Sequence, residues 1–328
     1  MPGAGQVAYF ALGGTISMTG GTGTGVVARL TGDDLLAGLG ELPAPVEVHS
    51  PYAVPSASLT FADVLDVVER AEAAVAAGAR GVVVSQGTDT LEETAFLVDS
   101  VWRPAAPFVL TGAMRNPSLP GADGPANLAA AIRVAAAEDA RGRGALVVFA
   151  EEIHAARHVR KSHSTSTGTF VSANLGPVGH VVEGTPRFLA DLPPRTPVAG
   201  WTRDSLARTR IALYTAALDD DGSALDGLEH TAAGLVVAGF GAGHVPEWLV
   251  PRLTPLLAAV PVVLSSRTGA GPVLADTYGA PGGERDLLAR GAISAGFADP
   301  FKARVLLRLL VAGGADRSAI AAAFAALG

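Results

Sequence analysis

Apolar and polar positions fall into blocks along the first half of the chain, and each block has the length of one secondary-structure element. Gln6–Leu12 is a short apolar run closed by Gly13-Gly14-Thr15, the pattern of a buried strand ending in a turn. Phe61, Val64, Leu65, Val68, Ala71 and Val75 recur at helical spacing behind Thr60, which predicts an amphipathic helix with a threonine N-cap. Gly81–Ser85 (GVVVS) reads as a β-branched strand buried on both faces. Leu91–Val101 reads as a helix and Pro107–Thr111 as a strand. A helix capped by Asp123, with Pro125 near its first turn, follows and runs to the neighbourhood of Asp139; Ala145–Phe149 is the next strand. Strands alternating with helices predict a parallel sheet covered on both faces.

The pattern breaks at 184–208, where four prolines and four arginines fall without periodicity. That composition predicts an interdomain linker. A second α/β unit follows, with strands at Ile211–Tyr214, Gly234–Ala238 and Pro261–Ser265 and a helix over Pro246–Val260. Helices are expected near Phe301–Ala312 and Arg317–Ala326. The expected organisation is a larger N-terminal α/β domain over 1–184, a linker over 185–208 and a smaller C-terminal α/β domain over 209–328. Each domain is a mostly parallel sheet flanked by helices. No repeat of solenoid period is present.

Composition narrows the function classes. The chain has 328 residues, 49% of them hydrophobic and 5% aromatic, with a mean hydropathy of +0.35. A sizeable core is available, but no uninterrupted apolar run reaches the length of a membrane-crossing helix. The net charge of −7 argues against nucleic acid as the main partner. The absence of cysteine removes disulfides, cysteine-ligated zinc and thiol catalysis together. Met1–Gln6 leads straight into the first strand with no basic leader or cleavage site. The expected location is therefore cytoplasmic, or that of a secreted mature form whose signal has been removed.

Among 24 Lys+Arg only Lys161 and Lys302 are lysines. Arginine does not release its proton in a protein, whereas a lysine can titrate into a useful range. A lysine kept at Arg160-Lys161-Ser162-His163 thus suggests a needed amine, against the plainer reading of a solvated side chain. Gly13-Gly14-Thr15 and Gln86-Gly87-Thr88-Asp89-Thr90 lie at the carboxyl ends of strands, where ligands bind open parallel sheets. Helix-opening amides around Thr88 can hold an anion or an oxyanion. Lys161 could serve as base in a Thr–Lys–Asp arrangement. Either motif alone reads more readily as a tight turn with its cap.

Other patterns are weaker. Gly20-Gly21-Thr22-Gly23-Thr24-Gly25 imitates a dinucleotide loop, but no strand feeds it, so a lid is the better reading. His154 and His158, one helical turn apart with Glu151, and nearby His163 could suggest a metal. That segment leaves a strand for the Lys161 loop, so a helix there is not expected and no metal is assigned. Glu92 and Glu93 suit a helix start, where the macrodipole favours acids.

Residues 11–16 (ALGGTI), Ser85–Thr94 (SQGTDTLEET), Leu110–Arg115 (LTGAMR) and Gly121–Leu128 (GADGPANL) together resemble the bacterial-type L-asparaginase family. The resemblance runs over essentially the whole chain. It implies hydrolysis of L-asparagine to L-aspartate and ammonia through a threonine nucleophile and an acyl-enzyme, without cofactor or metal. It further implies a homotetramer of tight dimers in which each site is completed by the neighbouring subunit. Thr15 matches the family's nucleophilic threonine, and Thr88, Asp89 and Lys161 match its second catalytic set. Gly14, Ser56, Thr88 and Asp89 would bind substrate, Ser56 at the α-carboxylate and Asp89 at the α-amine. The backbone carbonyl of Ala113 would receive the leaving amide nitrogen.

Three departures stand out. The family's lid carries an activating tyrosine, but Ser17–Leu30 has none; the four tyrosines are Tyr9, Tyr52, Tyr214 and Tyr278. Ala57 replaces a frequent glutamine, removing one donor to the substrate's charged end. His244 stands where the neighbouring subunit supplies an asparagine, with Asp276 and Glu284 as alternatives for its acid. A dual glutaminase-asparaginase uses the same chemistry. An amidase subunit of a tRNA-dependent amidotransferase and a binding homologue without turnover are the more distant alternatives.

Overall fold

The computed structural model describes residues 5–20, 27–28 and 30–327, and the chain divides into two units, Met1–Pro197 and Val198–Gly328. In the first, β1 (Val7–Ala11) is followed by a small antiparallel pair, β2 (Met18–Thr19) and β3 (Val27–Ala28). Then come α1 (Gly32–Leu36), β4 (Val46–His49), α2 (Phe61–Ala76), β5 (Gly81–Ser85) and α3 (Leu91–Val101). The unit continues through β6 (Phe108–Thr111), α4 (Gly124–Ala136), β7 (Ala145–Phe149) and β8 (Glu152–Ala155). A separate ribbon pairs β9 (Arg160–Lys161) with β10 (Phe170–Val171), and β11 (Gly179–Val182) and β12 (Thr185–Phe188) close the unit.

The main sheet runs β12-β11-β8-β7-β6-β5-β1-β4. β4, β1, β5, β6 and β7 are parallel, and β8, β11 and β12 extend it antiparallel. All five residues of β1, β5 and β7 are buried, as expected for parallel strands covered on both faces. Thr60 caps α2 in a capping box with Asp63, as its position before the apolar stripe predicts. α4 lies so close to the sheet that a Cβ on Gly81 would collide with the Ala135 carbonyl; glycine at this strand start is a packing requirement.

The second unit holds α5 (Arg203–Arg208), β13 (Ile211–Thr215), α6 (Leu228–Thr231), β14 (Gly234–Gly239) and α7 (Val250–Ala259). β15 (Val262–Ser266), α8 (Glu284–Ala289), β16 (Ile293–Ser294), α9 (Pro300–Ala312) and α10 (Arg317–Ala325) complete it. Its four strands form a parallel sheet, β13-β14-β15-β16. The core packs Leu235, Val237 and Leu264 against Leu253 and Leu256 of α7. The fold is therefore the expected α/β class, a larger, mostly parallel N-terminal sheet and a smaller parallel C-terminal one. Within 185–208, β12 belongs to the edge of the first sheet and α5 to the second unit. Between them Arg195 donates to the carbonyls of Asp99 at 2.8 Å and Trp102 at 2.6 Å.

Candidate active site

From β1 the chain crosses to β4 on one side and returns to β5 on the other. Strand order therefore reverses between β1 and β5, the place where open parallel sheets form a ligand crevice at their carboxyl ends. Thr15 follows β1 and Thr88 follows β5, so the two threonine motifs flank this point. Backbone bonds tie the strand ends together: Leu12 donates to Ser85 at 2.9 Å and Val54 donates to Leu12 at 3.2 Å.

Gly13 and Gly14 have φ of 96° and 85°, conformations that side-chain-bearing residues avoid. A Cβ on Gly14 would collide with the backbone of Gly87. The turn therefore lies directly on the second motif, and Thr15 opens a short 3-10 helix, Thr15–Ser17. Thr15 is half-buried. The 3-10 turn Ser56–Ser58 follows β4 and packs on the same glycine, since a Cβ on Gly87 would meet the Ser56 hydroxyl. The Ser56 hydroxyl is buried without a hydrogen-bond partner among the described residues, while Ala57 beside it is exposed. Thr90 donates to the Ser56 carbonyl at 3.0 Å.

Thr88 and Asp89 form the 3-10 lead-in to α3. Lys161 Nζ donates to Thr88 Oγ1 at 2.9 Å and to Asp89 Oδ1 at 2.8 Å. Thr88 is buried and Asp89 exposed. One amine thus bridges a protected hydroxyl and a solvated carboxylate. The Thr–Lys–Asp grouping inferred from residue types is brought together across more than 70 positions of sequence.

Ala113, buried, follows β6 in a turn held from below. The Asp123 carboxylate accepts from Met114 N at 3.0 Å and Arg115 N at 2.8 Å. Asp123 occupies the N-cap position of α4 but makes no side-chain capping bond; its carboxylate is engaged by this turn instead. Asn127 donates to the Gly112 carbonyl at 3.1 Å and accepts from Ala150 N at 3.0 Å. Residue-type reasoning missed Asn127; a buried amide one turn into a helix gives no sign by itself.

His244 lies in the second unit, where its Nε2 is 3.1 Å from Glu284 Oε2. Tyr278 stacks edge-on against its ring at 4.7 Å. Glu284 is fully buried and accepts from Thr277 N and Tyr278 N at 3.0 and 2.7 Å; Asp276 is exposed. Of the two acids weighed, Glu284 is the one that touches His244. His154 sits on strand β8, buried, with Nδ1 3.1 Å from the Ser172 hydroxyl. No cluster of metal-binding side chains occurs among the described residues. The glycine-rich stretch beyond Gly20 lies outside the described residues, so the lid expectation is not addressed by them.

These strand-end motifs have counterparts elsewhere. Residues 6–193 match the family model described as Asparaginase, N-terminal, and residues 210–324 match the Glutaminase/Asparaginase C-terminal domain. A probable L-asparaginase of Deinococcus radiodurans is 38% identical, with 85% of each chain covered. A glutaminase-asparaginase of Pseudomonas fluorescens is 34% identical, covering 81% of this chain and 76% of that protein. The crystal structure of a probable cytoplasmic L-asparaginase from Campylobacter jejuni superposes with a TM-score of 0.87 at 30% identity, covering 98% of this chain and 99% of that one. Matched along both units, in sequence and in fold, the chain belongs to the asparaginase family.

Proposed function

We propose that this chain is an L-asparaginase, hydrolysing L-asparagine to L-aspartate and ammonia. The observation that carries the reading is the single amine of Lys161 within hydrogen-bond distance of both Thr88 Oγ1 and Asp89 Oδ1. A hydroxyl paired with an amine, oriented by a third group, can take a proton from a nucleophile, here the water of the second step. The unpartnered Ser56 hydroxyl supplies a donor for the substrate α-carboxylate, and exposed Asp89 faces the α-amine. Thr15 attacks the side-chain amide carbon. The C–N bond breaks as the nitrogen takes up the proton released by the Thr15 hydroxyl and leaves as ammonia beside the Ala113 carbonyl. Water, with its proton passed through the Thr88–Lys161 pair, then cleaves the threonyl ester to give aspartate and restore the hydroxyl.

Self-association as a homotetramer or tight dimer, with His244 entering the neighbouring subunit's site, belongs to the same reading. So does a cytoplasmic location, the compartment ascribed to the Campylobacter jejuni protein. No helix among the described residues is long and apolar enough to cross a membrane. The proposed functional division is a catalytic N-terminal domain and a C-terminal α/β domain, with the expected linker 185–208 shared between them, since β12 closes the first sheet and α5 lies in the second unit.

A dual glutaminase-asparaginase is the second reading, favoured by the Pseudomonas fluorescens relative of that name. One methylene shifts selectivity by only about 1–3 kcal/mol. Exposed Ala57 offers no side-chain donor to steady the longer substrate, so glutamine turnover is expected to be the smaller. Ammonia release from asparagine, glutamine and a blank tests both readings. Thr15→Ala and Thr88→Ala are each expected to lower kcat by at least about a hundredfold. Near-wild-type turnover in either variant, folded by circular dichroism, would exclude the two-threonine assignment.

A further inference from the structure

Lys161 is carried by a fragile element. β9 contributes two residues and, among the described residues, pairs only with β10, and a two-stranded ribbon of this size is not stable on its own. The far strand is anchored through Phe170, whose ring lies 4.7 Å from Phe149 in the core. The near strand is held differently. The backbone N–H of Lys161 donates to the carboxylate of Glu92, a buried residue in the first turn of α3. The side chain of the same lysine donates to Thr88 and Asp89, in the lead-in to that helix. One short segment therefore grips the lysine at both its main-chain and its side-chain end.

A second grip lies further along α3. Asp99 is two turns beyond Glu92, on the same helical face. Its carboxylate is 3.7 Å from the Arg157 guanidinium, and both side chains are 8% exposed. Asp99 also accepts from Ala145 N at 2.9 Å. Segment 157–161 is thus strapped along α3 at Asp99 and at Glu92, and the second strap closes on the lysine itself. Glu92 is the hold that acts on the Lys161 main chain from the same helix that presents Thr88. Its ion pair with Asp89 is solvated on the carboxylate side, 68% exposed, and such pairs hold geometry weakly.

We propose that Glu92 is a positioning residue: its carboxylate fixes the Lys161 backbone so that Nζ stays on Thr88 Oγ1. The inference rests on the proposed role of Lys161 in catalysis. Its test separates the two claims. With asparagine, Glu92→Ala is expected to lower kcat about tenfold to hundredfold and to move KM less than about threefold. Glu92→Gln keeps an acceptor oxygen for the same N–H and is expected to stay within about threefold of wild type. The chain has only two lysines, Lys161 and Lys302, so Cε-13C-lysine labelling gives two assignable NMR signals. Lys302 is buried on Asp299 in the second unit and serves as the internal reference. In Glu92→Ala the Lys161 signal should move toward that of free lysine while the Lys302 signal stays. An unmoved Lys161 signal with unchanged kcat overturns the proposal. A moved signal with unchanged kcat upholds the strap and removes Lys161 from the chemistry. Should Glu92→Ala not fold, Glu92→Met fills the space without an acceptor and is read in the same way.

Discussion

Lys161 places one amine between a buried hydroxyl and an exposed carboxylate, and no other side-chain type does both jobs. A guanidinium would keep the attraction to Asp89 but would hold its proton and spread its donors over a planar fork. Lys161→Arg is therefore expected to lose nearly as much kcat as Lys161→Met. Retention of most activity in Lys161→Arg would reduce the lysine to an electrostatic prop. Composition singles this residue out, because the chain carries nearly all its positive charge as arginine, but leaves a needed amine and a solvated side chain evenly matched until the threonine motifs are added. Glycine-threonine pairs at strand ends mark Thr15 and Thr88 as candidates, and only the resemblance assigns them roles. Glu92 was not. An acid in the first turn of a helix already has a sufficient explanation in the macrodipole, and nothing in Glu92-Glu93 tells which of the two turns inward. The unsatisfied Ser56 hydroxyl became meaningful only once Gly87 was seen packed against it.

At the scale of elements, legibility follows burial. β1, β5 and β7 are buried at every position and read as continuous apolar runs. α3 was bounded correctly because its apolar content is sustained between a threonine-rich turn and Arg103-Pro104. The antiparallel extension was missed. β12 alternates exposed and half-buried residues and carries Pro186, which reads as loop, and β9 is too short to show any period. The C-terminal helix expected from Pro246 starts only at Val250, after a 3-10 turn over Glu247–Leu249. α8 begins with Glu284, whose carboxyl is held below its ordinary value of 4.5. Burial pushes it up, but N–H donors from Tyr278 and Thr277, together with His244, outweigh burial. A carboxyl lowered in the folded state adds stability that is present above its unfolded value and is lost as pH falls through the folded one. Urea unfolding between pH 6 and pH 3 should therefore show a shallower acid loss for Glu284→Gln than for wild type. Parallel curves would mean that the buried carboxylate is not specifically held.

At the scale of the whole molecule, the two units divide the proposed work. Gly14, Thr15, Ser56, Ala57, Thr88, Asp89, Ala113 and Lys161 all belong to the first, while His244 and Glu284 belong to the second. His244 is held by the fully buried Glu284 and by the edge of Tyr278. If His244 enters a neighbouring subunit's site, then inactivity caused by Thr15→Ala and by His244→Ala resides on different sides of one interface. A mixed contact then contains one site with both residues intact and one with neither. Random pairing of the two variants makes half the contacts mixed, so about a quarter of all sites should be intact in a two-fold arrangement. The two purified variants, unfolded together in urea and refolded as a mixture, should accordingly recover about a quarter of wild-type ammonia release. Each variant refolded alone should stay near its own low value. A mixture no more active than the mean of the separate samples would place His244 and Thr15 of one chain in the same site, and the neighbouring-subunit assignment would have to be given up.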